Sequence, residues 1–236
     1  MKKKASEKLA NILRSRPVAE AAEILVSKIG DIQYPADDIE EDINILRIME
    51  RTFSVKNKGL KLKARDIKPW TGLFKRCEEI LELSDLSPYA QVIMRETIGH
   101  RYADIFRLCK RYEDKMNASY GKSFELASIH NFYAHKDASS FWHGTAYYKC
   151  GKIAKSAPFF ARVVVSNRLE FNQVRMHRLK IEASYDFFIK HPEYTPEHMK
   201  DGVEALVSQN KNFKEVFGKK ACIPDTRIKT YKKRWL

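Results

Sequence analysis

No disulfide frame, zinc ribbon or membrane span is written into this chain of 236 residues. Its four cysteines, Cys77, Cys109, Cys150 and Cys222, stand far apart and form no CxxC pair. That spacing argues against a disulfide scaffold and suits a reducing cytoplasm. Nine glycines and eight prolines leave no room for a low-complexity linker. No apolar run approaches the roughly 18–20 residues that a spanning helix needs. The opening MKKKASEKLANILRSR has no apolar h-region, so a signal peptide is not expected. Acidic residues are the scarcer charge, 30 against 44 basic, for a formal net charge of +14. The hydrophobic share of 44% excludes wholesale disorder and is enough for a real core.

The basic excess is concentrated. Residues 56–76 and 149–180 each hold eight basic residues and one acidic one, and residues 211–236 hold nine and two. Each segment is therefore net +7, and the rest of the chain is net −7. Cations gathered in a slightly acidic body point to a polyanion, and nucleic acid is the first candidate. None of the three segments is a long, clean amphipathic helix, so a membrane surface is the weaker partner. The alternative is a solvated surface with no partner.

Apolar spacing predicts helices over 5–15 and 18–29, with Pro17 opening the second and Gly30 closing it. A third, near 37–53, has five acidic residues in its first turn, from Asp37 to Asp42. Residues 54–66 read as a basic linker. Helices follow near 68–83 and 87–116, the latter opened by Ser87-Pro88. The texture then changes. The aromatic load of FELASIHNFYAH and FWHGTAYYK around KDASS predicts a strand pair over 124–149. APFFARVVV reads as a third strand or a helix start. A long helix near 167–190 ends at His191-Pro192, and helices near 195–209, 212–219 and 225–234 complete the chain. The expected fold is mainly α with a small antiparallel β-sheet. A helical N-terminal region (1–64) would precede a larger domain (65–236).

Three constellations could carry chemistry. In Gly99-His100-Arg101-Tyr102-Ala103-Asp104, a bend at Gly99 would present Arg101 at a helix N-terminus, where backbone donors and a guanidinium can hold a phosphate. An ordinary kinked helix pair with a surface arginine explains the same residues. His177 and Lys180 share a helix face inside a basic segment, which suits two contacts to one phosphate or a merely solvated stripe. In the tail, Tyr231 sits among Arg227, Lys229, Lys232, Lys233 and Arg234. Neighbouring cations favour a phenolate nucleophile, although a lone tyrosine is more often packed or stacked.

In order, the boxes Gly99-x-Arg101-x-x-Asp104-Ile105, His177-x-Leu179-Lys180 and Gly218-Lys219, then a helix carrying Tyr231, resemble the tyrosine recombinases. That superfamily holds phage integrases and telomere resolvases. The likeness runs from about Asp66 to Leu236. It implies a recombinase-like catalytic domain whose β-hairpin lies between the first two boxes. It also implies transesterification without metal or nucleotide cofactor. Tyr231 would attack a scissile phosphate and form a 3′-phosphotyrosyl link. Arg101, His177 and Lys180 would hold the non-bridging oxygens, with Lys219 at a further phosphate contact. Lys136 would protonate the leaving 5′ oxygen, with Lys149 as second choice. Lys61, Lys63, Arg65, Lys149, Arg175, Arg178, Arg227, Lys229, Lys232 and Lys233 would contact double-stranded DNA. The protein would work as a multimer on DNA, monomeric when free. Departures from the pattern are Lys180 for the usual Arg, Gly-Lys for Gly-His, 54 residues between His177 and Tyr231, and a short N-terminal arm.

Other readings stay open. The tail also resembles a helix-turn-helix, with helix 212–219, a turn at Ala221–Pro224 and a recognition helix 225–235. Gly218 and Ile228 would pack inside, and Arg227, Lys229, Lys232 and Lys233 would face DNA. That is a DNA-binding regulator without catalysis, as an inactive recombinase relative would also be. A third reading is an RNase of the HEPN type, whose motif His130-Asn131-Phe132-Tyr133-Ala134-His135 would match but for His in place of Arg. It requires those residues on a helix. A zinc site from His130, His135, His143 and Cys150 matches no familiar spacing, and no metal is expected.

Overall fold

A computed structural model of the chain describes residues 4–17, 64–83, 87–166, 174–219 and 222–236, with scattered positions between 20 and 51. The chain divides into two compact units, Met1–Leu86 and Ser87–Leu236.

In the first unit, α1 spans Ala5–Ser15, as its apolar spacing predicts, and buries Leu9. The Ser6 amide and hydroxyl both donate to the Glu41 carboxylate, at 2.8 and 2.7 Å. Helix α2 spans Ala64–Leu83. Its buried residues Ile67, Trp70, Phe74, Cys77 and Leu81 recur at spacings of three and four, which makes one apolar stripe. Most of the helices expected at 18–29 and 37–53, and the linker up to residue 63, lie outside the described residues.

The second unit is a helical bundle. Helix α3 (Pro88–Phe106) starts where Ser87-Pro88 directs: the Ala90 amide donates to the Ser87 hydroxyl, and proline fills the first turn. A short turn at Lys110–Tyr112 leads to α4 (Glu113–Ile129), then α5 (Tyr133–Lys149) and α6 (Ile153–Ser166). Helix α7 (Val174–Lys190) ends at His191-Pro192. Helices α8 (Met199–Phe217) and α9 (Asp225–Trp235) close the unit. Neighbours along the chain pack together, α3 on α4, α4 on α5, α5 on α6, α6 on α7 and α8 on α9; α6 also packs on α8, and α5 on α3 and α7.

The sheet expected over 124–149 is not there. Among the described residues there is no strand, and this stretch forms the end of α4 and all of α5. The α+β fold and its recombinase-type hairpin are thus overturned, and APFFARVVV is helix α6. The aromatic residues that suggested strands sit at helical spacing. In α5 buried positions, from Ala134 and Ala138 to Ser139, Ser140, His143, Gly144 and Ala146, lie most of the way round the helix, and its small residues admit close neighbours. A Cβ on Gly144 would stand 3.2 Å from Phe159 Cβ and from the Ser156 carbonyl. Helix α5 therefore touches α6 almost backbone to backbone.

Gly99 is likewise no bend. It lies inside α3, where a Cβ would meet the Tyr120 ring at 2.9 Å. The helix expected over 87–116 is two, broken at 107–112, and those expected at 195–209 and 212–219 are the single helix α8.

Candidate nucleic-acid interface

Helix α9 carries the most basic exposed surface the tail can present. At 100° per residue, Ile228, Tyr231 and Trp235 share one side, and they pack on the core of α6, α7 and α8. Thr226, Lys229, Thr230 and Lys233 form the opposite crest. Arg227 and Arg234 flank it on one side and Lys232 on the other. All seven flank and crest residues are exposed. Lys229, Lys232, Lys233 and Arg234 make no ion pair among the described residues.

Buried polar groups hold this helix in place. The Asn210 side chain of α8 is 4% exposed and binds both backbone groups of Ile223. Its amide donates to the Ile223 carbonyl at 3.1 Å, and its oxygen accepts from the Ile223 N–H at 2.8 Å. Arg178 of α7 donates to the Cys222 carbonyl at 2.8 Å and pairs with Glu182 at 3.1 Å. Lys214 pairs with Asp225 at 3.0 Å, and Arg227 pairs with Asp186. Gly218 takes a φ of +75° as α8 ends, a conformation that suits glycine. It is exposed rather than packed inside, whereas Ile228 does pack on the core.

Tyr231 points inward. It is fully buried, and its ring stacks on Tyr185 with centroids 4.6 Å apart, close to Trp235. Burial first, and then Asp186, push the phenol's pKa well above its ordinary value; Arg227 offsets this only in part. The phenolate that a nucleophile needs is disfavoured here.

Arg101 is engaged within its own helix. It pairs with Asp104 one turn along α3 at 3.1 Å. Around it runs a polar network in which His100 Nδ1 meets the Tyr120 hydroxyl at 2.7 Å, and Glu96 meets His135 at 3.3 Å and His100 at 3.6 Å. Burial opposes the charge on Glu96, but hydrogen bonds from the two histidines prevail and lower its pKa to about 2. Lys180 is buried within electrostatic range of Glu96 and Asp137, and burial lowers its pKa against their pull. No hydrogen bond or ring contact joins Arg101 to Tyr231.

The remaining expected residues scatter. Lys136 sits on α5 with its ammonium 5.6 Å from the Phe124 ring, on a helix and not a hairpin. Lys149 is exposed at the end of α5, and Lys219 is exposed just past α8. Arg178 and Arg227 are tied to protein partners, as described. Lys61 and Lys63 lie outside the described residues, as do the side chains of Arg65 on α2 and of Arg175 and His177 on α7.

The HEPN-type motif straddles the turn between two helices, with His130 capping α4, Asn131 at φ +57° and His135 in the first turn of α5. The four residues of the imagined zinc site separate. His135 faces Glu96, His143 stacks on Phe159 at 3.8 Å and His130 stacks on Phe132 at 5.7 Å. Among the described residues, no three His, Cys, Asp or Glu side chains gather as a metal site. Nor is any helix there long and apolar enough to cross a membrane.

Sequence reasoning missed Asn210 and the crest threonines. Asn210 falls between the helices expected at 195–209 and 212–219, where the sequence assigns it no role. Thr226 and Thr230 show their role only once α9 is drawn as a helix with a fixed buried side. Compared with known protein families, with curated proteins and with solved structures, the chain matches none.

Proposed function

We propose that the protein binds double-stranded DNA through α9 and does so without cutting it. The observation that carries this reading is the sidedness of α9. One side is locked into the core by Tyr231 and Trp235, and the other offers exposed cations and threonines. Lysines and arginines at that spacing suit phosphates, while the crest suits a groove. The preceding helix and the clamped turn at 222–224 give α9 the setting of a recognition helix. Binding is favoured over cleavage by the state of Tyr231, which is buried, stacked and kept neutral. A DNA-binding role also fits a reducing cytoplasm, in keeping with the free cysteines.

The test is anisotropy on a short duplex, with the combined substitutions Lys229→Ala, Lys232→Ala, Lys233→Ala and Arg234→Ala. The expected result is at least a tenfold loss of affinity and a log–log salt slope shallower by about 3–4, near 0.9 per lost phosphate contact. Unchanged binding overturns the assignment to α9. In parallel, the wild type is incubated with nicked and intact duplexes and resolved under denaturing conditions. No covalent adduct is expected. An adduct that Tyr231→Phe abolishes would overturn the non-catalytic reading and restore a recombinase.

A further inference from the structure

A second electropositive surface lies at one end of the bundle, built from residues other than those of the tail. Two connections meet there, α3 to α4 (residues 107–112) and α5 to α6 (residues 150–152). Their meeting is visible at Phe106, whose ring lies under both Lys110 (4.7 Å) and Lys152 (5.0 Å). Arg107 and Lys149, from the two helix ends, both act on Asp104. Arg107, Lys110, Arg111, Lys149 and Lys155 are exposed, and Lys152 is half-buried. Arg107, Lys110, Arg111 and Lys149 make no ion pair among the described residues.

At the centre of this surface is Glu113, the first residue of α4. Lys152 Nζ lies 2.7 Å from one carboxylate oxygen and Lys155 Nζ 2.6 Å from the other. The Tyr147 hydroxyl lies 3.1 Å from the same carboxylate, its single proton shared with the nearer Asn117 Oδ1 at 2.7 Å. Hydrogen bonds from Lys152 and Lys155 lower the carboxyl pKa to about 2 despite some burial. Two ammonium groups converging on one anionic group is a donor set that also receives a phosphate. The six cations at this end, Arg107, Lys110, Arg111, Lys149, Lys152 and Lys155, outnumber the three acids Asp104, Glu113 and Asp114. The first turns of α4 and α6 open at this end and add their positive dipole ends.

We propose that this bundle end is a second phosphate-binding surface for duplex DNA, in which a backbone phosphate replaces Glu113 between Lys152 and Lys155. The inference rests on the DNA-binding reading and adds a contact surface that α9 does not supply. It makes Glu113 an internal competitor, so loss of the acid and loss of the lysines act in opposite directions.

The experiment measures affinity for a 20-base-pair duplex by anisotropy between 50 and 200 mM salt. The variants are Lys152→Ala with Lys155→Ala, Lys110→Ala with Arg111→Ala, and Glu113→Gln. Glu204→Gln, from an exposed pair with Lys200 on α8, controls for a change in net charge alone. Each lysine or arginine pair should weaken binding about tenfold and flatten the salt slope by about 2. Glu113→Gln should tighten binding several-fold more than Glu204→Gln. The Lys110 and Arg111 variant removes side chains outside the Glu113 clamp, so the idea stays testable if the Lys152 and Lys155 variant unfolds. Wild-type affinity and slope in the two cation variants, with Glu113→Gln equal to Glu204→Gln, overturn the inference. If α9 variants lose binding in that case, the proposed function stands without it. If the wild type does not bind duplex at all, both fall.

Discussion

The His143 ring lies flat against Phe159 and within 2.7 Å of Asn117 Oδ1, to which its Nε2 donates. Burial, helped by the charge of Arg162, lowers its pKa to about 3, so the folded protein keeps it neutral. The unfolded chain protonates the same ring near pH 6.5. Between about pH 6.5 and 3 the unfolded state therefore binds more protons, and stability falls as pH falls. One such group costs about 1.4 kcal/mol per pH unit across that window. Glu96 works in a lower window. Its depressed pKa gives stability that is present above about pH 4.5 and lost as the pH falls toward 2. Thermal unfolding should thus show a midpoint that drops between pH 6.5 and 5, before carboxylates titrate. His143→Gln, which can still donate to Asn117, should flatten that upper part and leave the acid limb. An unchanged slope between pH 6.5 and 5 would remove His143 from the account.

Gly99 sets two magnitudes against each other. Alanine inside a helix gains about 1 kcal/mol over glycine. Its Cβ would press on the buried Tyr120 ring at 2.9 Å, and overpacking costs typically about 1–3 kcal/mol. Gly99→Ala is therefore expected to destabilise, as measured by denaturant midpoint. The glycine was conspicuous in the sequence, but its purpose was not. A residue that permits a bend and one that permits a close crossing look alike until the partner ring is known.

Helix α9 depends on its clamp more than on its own sequence, since eleven residues make a marginal helix in water. Asn210→Ala removes two buried hydrogen bonds to Ile223 and leaves both backbone groups without that partner. A loss of roughly 2–3 kcal/mol is expected in urea unfolding. DNA affinity should fall with it if docking of α9 is what binding needs, and a stability loss below about 0.5 kcal/mol would show the clamp to be dispensable. Boundaries with a chemical signal are readable from sequence: Ser87-Pro88 at the start of α3, His191-Pro192 at the end of α7 and Ile223-Pro224 before α9. Helix α5 was not, because its aromatics were weighed as β-formers. The helix is buried on most sides, much of it by serines, alanines and a glycine, so no one-sided hydrophobic period marks it in the sequence.

The whole molecule is described best by where its charge lies. The three basic segments were plain in the sequence, but their depth was not. Lys180 is buried, Arg178 and Arg227 are engaged with protein, and Lys152 and Lys155 share an acid. Among the described residues of the second unit, exposed cations without an ion pair gather on α9 and at the bundle end, and a reading with one surface differs from a reading with both in salt dependence. Four contacts from α9 alone predict roughly a 10²-fold loss of affinity between 50 and 200 mM salt, and seven or eight contacts from both surfaces predict about 10⁴-fold. A single titration series distinguishes them. The resemblance to recombinases rested on an order of residue types along the chain. In the fold Arg101 is paired with Asp104, Lys180 is buried within range of Glu96, and Tyr231 is stacked in the core on Tyr185, because motif spacing says nothing about which side of a helix is buried.

The clamp at Ile223 also supplies a clock. Its amide lies outside any helix, yet it donates to a buried side chain and is itself almost completely shielded. Loop amides ordinarily trade their protons for deuterium within seconds to minutes, whereas this one can do so only when α9 lifts from the body. Its exchange rate therefore reads the frequency of that lifting directly, one proton reporting on the departure of a whole helix.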